Sequence, residues 1–231
     1  MLLDLDGTIL DIEVSFFLDT MTRSMAMYFR DLVPDELFEL GLKGCIQELT
    51  NKPRADGETN EVGFFNTFEA LTGVGAMVAK ERFGSFYREV FPGFSRHGAP
   101  VRHARELIKG TVEKGLVLVL ATTPIFPRVA ILERMRWGQI SPEPFHLISD
   151  METTQFCKPQ AEYFLEIAGA LSIRPEKCLM VGNDSSHDMA AKGVGMKTFL
   201  ASTFRVDRTE AATTPDATGD LKELGRLLGF W

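Results

Sequence analysis

The sequence predicts an α/β protein: a parallel sheet covered by helices on both faces, with an all-α insert after the first strand. Three observations carry that expectation. From about residue 95 onward, short unalternating apolar runs alternate with helical stretches, the pattern of strands buried on both faces. Residues 14–91 instead keep a spacing of three and four throughout. The chain also opens on an apolar triplet, Met1–Leu3, that runs straight into acidic residues and reads as one more strand of that sheet, cut short.

The opening strand leads into the helical segment. Leu18, Met21, Met25, Tyr28 and Leu32 share one helix face, and Phe38, Leu42, Cys45 and Leu49 repeat the spacing after Pro34, a favourable first-turn residue. Phe64, Phe65, Phe68 and Leu71 predict a third helix; Ala79, Phe83, Phe86, Tyr87 and Val90 predict a fourth. Of the 18 Phe residues in the chain, those from Phe16 to Phe91 give this segment enough large apolar groups for a small core of its own. The same set could instead be half of an interface, so no oligomeric state is predicted. Beyond it, strands are expected at 116–121, 145–149, 178–182 and 197–201. Helices are expected at 101–114, 127–137, 161–171, 187–192 and 220–228. Thr209–Gly219, rich in Thr, Ala and Asp, reads as a surface loop. The division is therefore 1–13 and 95–231 for the α/β domain and 14–94 for the helical one.

The composition excludes several classes. The chain has 231 residues, 25 Lys+Arg against 32 Asp+Glu, and a formal charge of −7. That length buries enough surface to fold without disulfide or metal staples. A sequence pI near 5.2 argues against a nucleic-acid partner, whose affinity comes mostly from Lys/Arg on phosphates. No apolar run approaches the ~18–20 residues of a membrane span, and the first residues lack the pattern of a secretory signal. Cys45, Cys157 and Cys178 fall in no metal-ligand spacing and fit a reducing compartment, so cytoplasmic is the expectation.

Ligands of such sheets bind beyond the carboxyl ends of the strands. After the first run comes Asp4-Leu5-Asp6-Gly7-Thr8, and after the second Thr122-Thr123-Pro124. Lys158-Pro159 follows the third, and Asn183-Asp184-Ser185-Ser186-His187-Asp188 follows the fourth. Asp and Gly are common turn residues, so the first pentapeptide alone is weak. Polar groups at successive strand ends in this order form a site. Asp4, Asp6, Asp184 and Asp188 would lie close together, and clustered carboxylates do not all ionise at neutral pH without a cation. An all-oxygen donor set favours Mg²⁺.

With these residues in place, the sequence resembles the haloacid dehalogenase-like (HAD) hydrolase superfamily over nearly the whole chain. All four motifs of that family are present: Asp4-Leu5-Asp6-Gly7-Thr8, Thr122, Lys158, and Gly182-Asn183-Asp184-x-x-x-Asp188. The resemblance implies a Rossmann-like sheet of strand order 5-4-1-2-3, with residues 14–94 as a helical cap. It also implies roles. Asp4 would be the nucleophile that forms an aspartyl-phosphate, and Asp6 the general acid and then the base for the hydrolytic water. Mg²⁺ would be held by the Asp4 carboxylate, the Asp6 carbonyl and Asp184. Thr122, Thr123 and Lys158 would hold the phosphoryl oxygens, with Asn183 and Asp188 in support; Asp188 would either bind the metal through water or support Lys158. Members that displace halide typically lack a carboxylate at the position of Asp6, so its presence favours phosphate esters.

The expected activity is a Mg²⁺-dependent phosphatase, a hydrolase of phosphate monoesters, acting on a small phosphorylated metabolite. Its alternatives are a phosphotransferase or sugar-phosphate mutase with the same intermediate, a receiver-type signalling domain, and a catalytically silent binding protein. Thr123 stands where Asn often follows the motif Thr. Only three residues precede Asp4, so either the natural start lies upstream or the central strand is short. His187 could touch the site, Cys157 reads as packing, and Thr22-Arg23 face either the substrate or solvent. Because the chain and its expected substrate are both anionic, attraction must be local, from Mg²⁺, Lys158 and loop amides.

Overall fold

Only two residues make the first strand, yet it occupies the centre of the sheet. In a computed structural model of the chain, which describes residues 1–51, 57–208 and 213–231, β1 (Leu2–Leu3) is followed by β2 (Leu10–Ile12) and four helices. These are α1 (Val14–Phe29), α2 (Asp35–Asn51), α3 (Asn60–Thr72) and α4 (Ala76–Glu89). Then come β3 (Gly98–Pro100), α5 (Ala104–Glu113), β4 (Val119–Leu120), α6 (Arg128–Trp137), β5 (Leu147–Ile148) and α7 (Ala161–Ala170). The chain ends with β6 (Leu179–Gly182), β7 (Lys197–Ala201), β8 (Ala217–Gly219) and α8 (Leu221–Leu227).

Six strands pair in parallel in the order β5-β4-β1-β6-β7-β8. Leaving out β2 and β3, this contains the expected 5-4-1-2-3 order. β1 is held on both sides beyond its own length: Val119 N–H donates to Met1 O at 2.9 Å, Ala121 N–H to Leu3 O at 2.7 Å, and Asp4 N–H to Val181 O at 2.9 Å. Leu2, Leu3, Val119, Leu120, Met180 and Val181 are all buried, as a strand covered on both faces requires. The strand order reverses at β1, so the crevice outside its carboxyl end is the natural ligand position.

The structure departs from the expected elements in several places. Residues 209–212 of the expected 209–219 loop lie outside the described residues, while Ala217–Gly219 forms edge strand β8 beside β7. A strand of Ala, Thr and Gly carries no apolar run to betray it. The antiparallel pair β2–β3, with Asp11 opposite Ala99, was likewise not anticipated. The expected 187–192 helix is a 3₁₀ segment at Met189–Val194. Pro34 stands just before α2, its carbonyl accepting from Phe38 N–H at 2.9 Å.

The helical insert does not bury a separate core. Phe29, Phe38, Phe64, Phe65, Phe68 and Phe83 pack ring on ring, but one apolar cluster runs from them to Leu3, Leu120 and Leu224 of the sheet layers. The junction is aromatic: Trp137 of α6 meets Phe17 at 5.8 Å and Phe91 at 5.1 Å between ring centroids. Polar ties reinforce it, with Asn60 N–H donating to Thr154 O at 2.8 Å and Glu61 N–H to Met151 O at 2.7 Å. Among the described residues, no single helix is long and apolar enough to cross a membrane. α3 and α4 pass that test only as a pair bent by 111°, and their rings face the core.

Phe83 lies at the centre of the helical cluster, 4.6 Å from Phe29, 5.3 Å from Phe68 and 5.4 Å from Phe64 by ring centroids. Phe83→Ala should therefore cost about 3–5 kcal/mol. The check is the urea midpoint, with an unchanged slope confirming that the loss is in stability.

Candidate active site

The loop after β1 begins with a buried carboxylate. Asp4 is 7% exposed, and its surroundings explain how it stays there. Lys158 Nζ donates to Asp4 Oδ1 at 2.8 Å and to Asp188 Oδ1 at 2.5 Å. Thr8 Oγ1 donates towards Asp4 Oδ2 at 3.2 Å. Burial pushes Asp4 above the usual carboxylate range, against the charge and hydrogen bond of Lys158. Asp188 is raised to about 6 by burial, opposed by Lys158 and reinforced by Asp4. Burial would lower the Lys158 ammonium, but the two carboxylates outweigh it and hold the group above the ordinary lysine value. The three form a buried charge triad, each dependent on the others.

Two glycines make this geometry possible. Gly7 has φ +75°, and a Cβ there would come within 2.2 Å of Asn183 Nδ2. A Cβ on Gly182 would lie 2.1 Å from Asp188 Oδ2. Any side chain at Gly182 would thus displace the carboxylate that supports Lys158.

The fourth strand end supplies the next group. Asp184 Oδ1 accepts from the amides of Ser186 and His187, both at 2.9 Å, and Oδ2 accepts from Arg208 Nε at 2.7 Å. Burial raises its pKa, but the His187 amide, Arg208 and the Ser186 amide prevail and leave it lowered. Asp188 uses its second oxygen to accept from Asp184 N–H at 3.0 Å, so both its oxygens are engaged within the protein. Asn183 donates to Phe204 O at 2.7 Å, and its Oδ1 lies 3.3 Å from Thr8 Oγ1, sharing the one hydroxyl proton with Asp4 and tying the first loop to the fourth. The Thr122 carbonyl is fixed by Ser149 Oγ and Tyr163 OH, both at 2.8 Å.

Asp4, Asp6, Thr122, Thr123, Lys158, Asn183, Asp184 and Asp188 all line one cavity of about 730 Å³ between the sheet edge and the helical insert. His187 borders it too, half-buried, with burial lowering its pKa against the pull of Asp184. Thr22 lines a neighbouring cavity, whereas Arg23 is exposed. Cys157 is buried packing. The oxygen donors suit a hard cation. Among the described residues no three Asp, Glu, His or Cys side chains group closely enough to hold one unaided. An ion would therefore rest on Asp4, Asp184, a main-chain carbonyl and water, a set that Mg²⁺ accepts.

Two site residues escaped the sequence reading. Arg208 is one; the other is Arg134 on α6, 1% exposed, whose Nη1 donates to Asp6 Oδ2 at 2.5 Å. Its guanidinium carbon lies 4.2 Å from the Phe126 ring centroid, a cation–π contact that offsets part of the cost of burial. Arg134 Nε and Nη2 and Asp6 Oδ1 are buried without a hydrogen-bond partner. The signal was present: residue 134 follows buried Ala130 and Ile131 by four and three positions, so it falls on the inward stripe of its helix.

An ion pair this poorly satisfied costs stability, and stranding one member costs more. Asp6→Ala should destabilise the fold by about 3 kcal/mol, because Arg134 then keeps its buried charge with no acceptor. Adding Arg134→Met should recover most of that loss. Denaturant midpoints of the single and double variants give the comparison.

Comparisons with known proteins agree with this geometry. The family model of the haloacid dehalogenase-like hydrolases matches residues 1–195. Protein CbbY of Cereibacter sphaeroides is 27% identical over 125 residues, 54% of this chain and 54% of that protein, so the match spans about half the length of the curated relative. A structure of a putative β-phosphoglucomutase from Thermotoga maritima superposes with TM-score 0.57 at 22% identity, over 99% of this chain and 97% of that one. A HAD phosphatase from Thermococcus onnurineus gives 0.60 at 20%, over 99% and 96%. An L-2-haloacid dehalogenase from Xanthobacter autotrophicus gives 0.55 at 13%, over 99% and 97%. At these identities the structural likenesses establish the fold alone. With its motif residues gathered at one sheet edge and the family match covering most of its length, the chain belongs to the haloacid dehalogenase-like hydrolases.

Proposed function

We propose that the protein is a Mg²⁺-dependent phosphatase hydrolysing a small phosphorylated metabolite through an aspartyl-phosphate. The observation that carries this reading is the buried triad: Lys158 between Asp4 and Asp188, with Asp6 two residues on and Asp184 across the same cavity. Asp4 would attack phosphorus in line with its carboxylate oxygen, while Lys158 and the Thr122-Thr123 loop bind the non-bridging oxygens. Mg²⁺, held by the Asp4 and Asp184 carboxylates and the Asp6 carbonyl, would neutralise the repulsion between two anions. For that, Arg208, half-exposed, would yield its place on Asp184. Asp6, fixed through Oδ2 by Arg134, would carry a proton to the leaving alcohol and take one from water. The helical insert 14–94 would act as a cap that excludes bulk water.

The presence of Asp6 separates this reading from halide displacement, which has no alkoxide to protonate. Transfer to an alcohol, as in a mutase, uses the same intermediate and is the second reading, since the Thermotoga neighbour is described as a β-phosphoglucomutase. The three cysteines are buried and form no disulfide among the described residues, which suits a cytoplasmic setting.

A panel of phosphate monoesters assayed with Mg²⁺ and after chelation tests the proposal. Turnover is expected only with the metal. Asp4→Asn should lower kcat by roughly 10³-fold or more, and wild type quenched in turnover should carry a phosphoryl group on Asp4 by peptide mass. Turnover surviving the substitution would refute the mechanism. Product carrying phosphate on an added acceptor alcohol would select the transferase.

A further inference from the structure

A second cavity of about 300 Å³ adjoins the site, within the range of ligand pockets and at its small end. The two cavities share four wall residues, Leu18, Ile46, Ile125 and Phe126, so they lie side by side, with the second on the side of the helical insert. Its lining is apolar and mostly buried: Met21, Met25, Phe64 and Phe83 are each no more than 5% exposed. Four charged residues stand at its border, each with a partner of its own. Lys80 pairs with Glu61 at 2.9 Å, Glu152 accepts from the Arg128 amide at 2.9 Å, and Arg88 donates to Ser85 Oγ at 3.1 Å. The cavity's buried walls of Met21, Met25, Phe64 and Phe83 offer no partner to the hydroxyls of a sugar seated against them, and burial without partners would be costly.

We infer that this cavity receives the organic part of the substrate, and that the substrate is the phosphate monoester of an apolar alcohol, aliphatic or aromatic, and not a sugar phosphate. Met21 and Met25 let the walls adapt to such a group. The inference rests on the phosphatase reading for its reaction, but not for its binding.

The test uses a homologous series of n-alkyl phosphates, phenyl phosphate and hexose phosphates as substrates, with the matching alkylphosphonates titrated by calorimetry. kcat/KM and phosphonate affinity should each rise about fourfold per added methylene until the cavity is full, the increment expected for burying one. Hexose phosphates should be poor substrates. Thr22→Phe, whose ring would enter the cavity, should flatten the series by about tenfold at its long end. A flat series in both measurements, or a preference for hexose phosphates, overturns the inference. If affinity rises with chain length and no ester is hydrolysed, the cavity proposal stands and the phosphatase reading fails.

Discussion

A single buried ammonium organises the catalytic edge. Lys158 is 1% exposed and bridges Asp4 and Asp188; without it, two carboxylates would face each other in a medium that penalises both. Removing one member of such a group leaves an uncompensated charge, so the residues that shape it are constrained far beyond their own contacts. Gly182 must lack a side chain for Asp188 to reach the lysine, and Gly7 must take a left-handed turn for the first loop to meet Asn183. The two-residue central strand is also intelligible in this light. Asp4 N–H is tied to Val181 and Leu3 O to Ala121, so the backbone of Asp4 is fixed by its neighbours and not by the length of its own strand.

Clustered carboxylates need cationic partners, and the motifs themselves contain one cationic side chain, Lys158. The structure supplies three. Lys158 serves Asp4 and Asp188, Arg134 serves Asp6, and Arg208 serves Asp184. These are unequal substitutes for a metal. Arg208 is half-exposed and can trade its contact for water at small cost, whereas Arg134 is locked under Phe126 with two unpaired donors. Asp184 is thus the carboxylate free to exchange its partner, and Asp6 the one held in place.

What was legible in the sequence depended on how a residue announces itself. Motif residues at strand ends were legible because an apolar run stops where polar chemistry begins, as at Leu3–Asp4 and Gly182–Asn183. The inserted helices were legible through their three-and-four spacing. β8 was not, because Ala217, Thr218 and Gly219 are too small and polar to read as a strand; its pairing with β7 comes from the tertiary fold. β2–β3 joins residues some ninety positions apart, a pairing no local window contains. Arg134 was hidden by its type, since arginine on a helix is normally solvated; only its place on the Ala130–Ile131 stripe marked it as inward.

The insert's position follows from the same chemistry. Gln160, two residues beyond Lys158, donates through Nε2 to the Leu49 and Thr50 carbonyls at 3.2 and 3.1 Å. Those carbonyls belong to the last turn of α2, where the helix leaves its own acceptors unmatched. Gln160 Oε1 in turn accepts from Cys157 N–H at 3.2 Å. The loop that presents Lys158 therefore also grips the end of a helix in the insert. Each such bond contributes only about 1 kcal/mol net, so the pair sets where that helix end sits, while the hold on the insert as a whole rests on the shared apolar cluster.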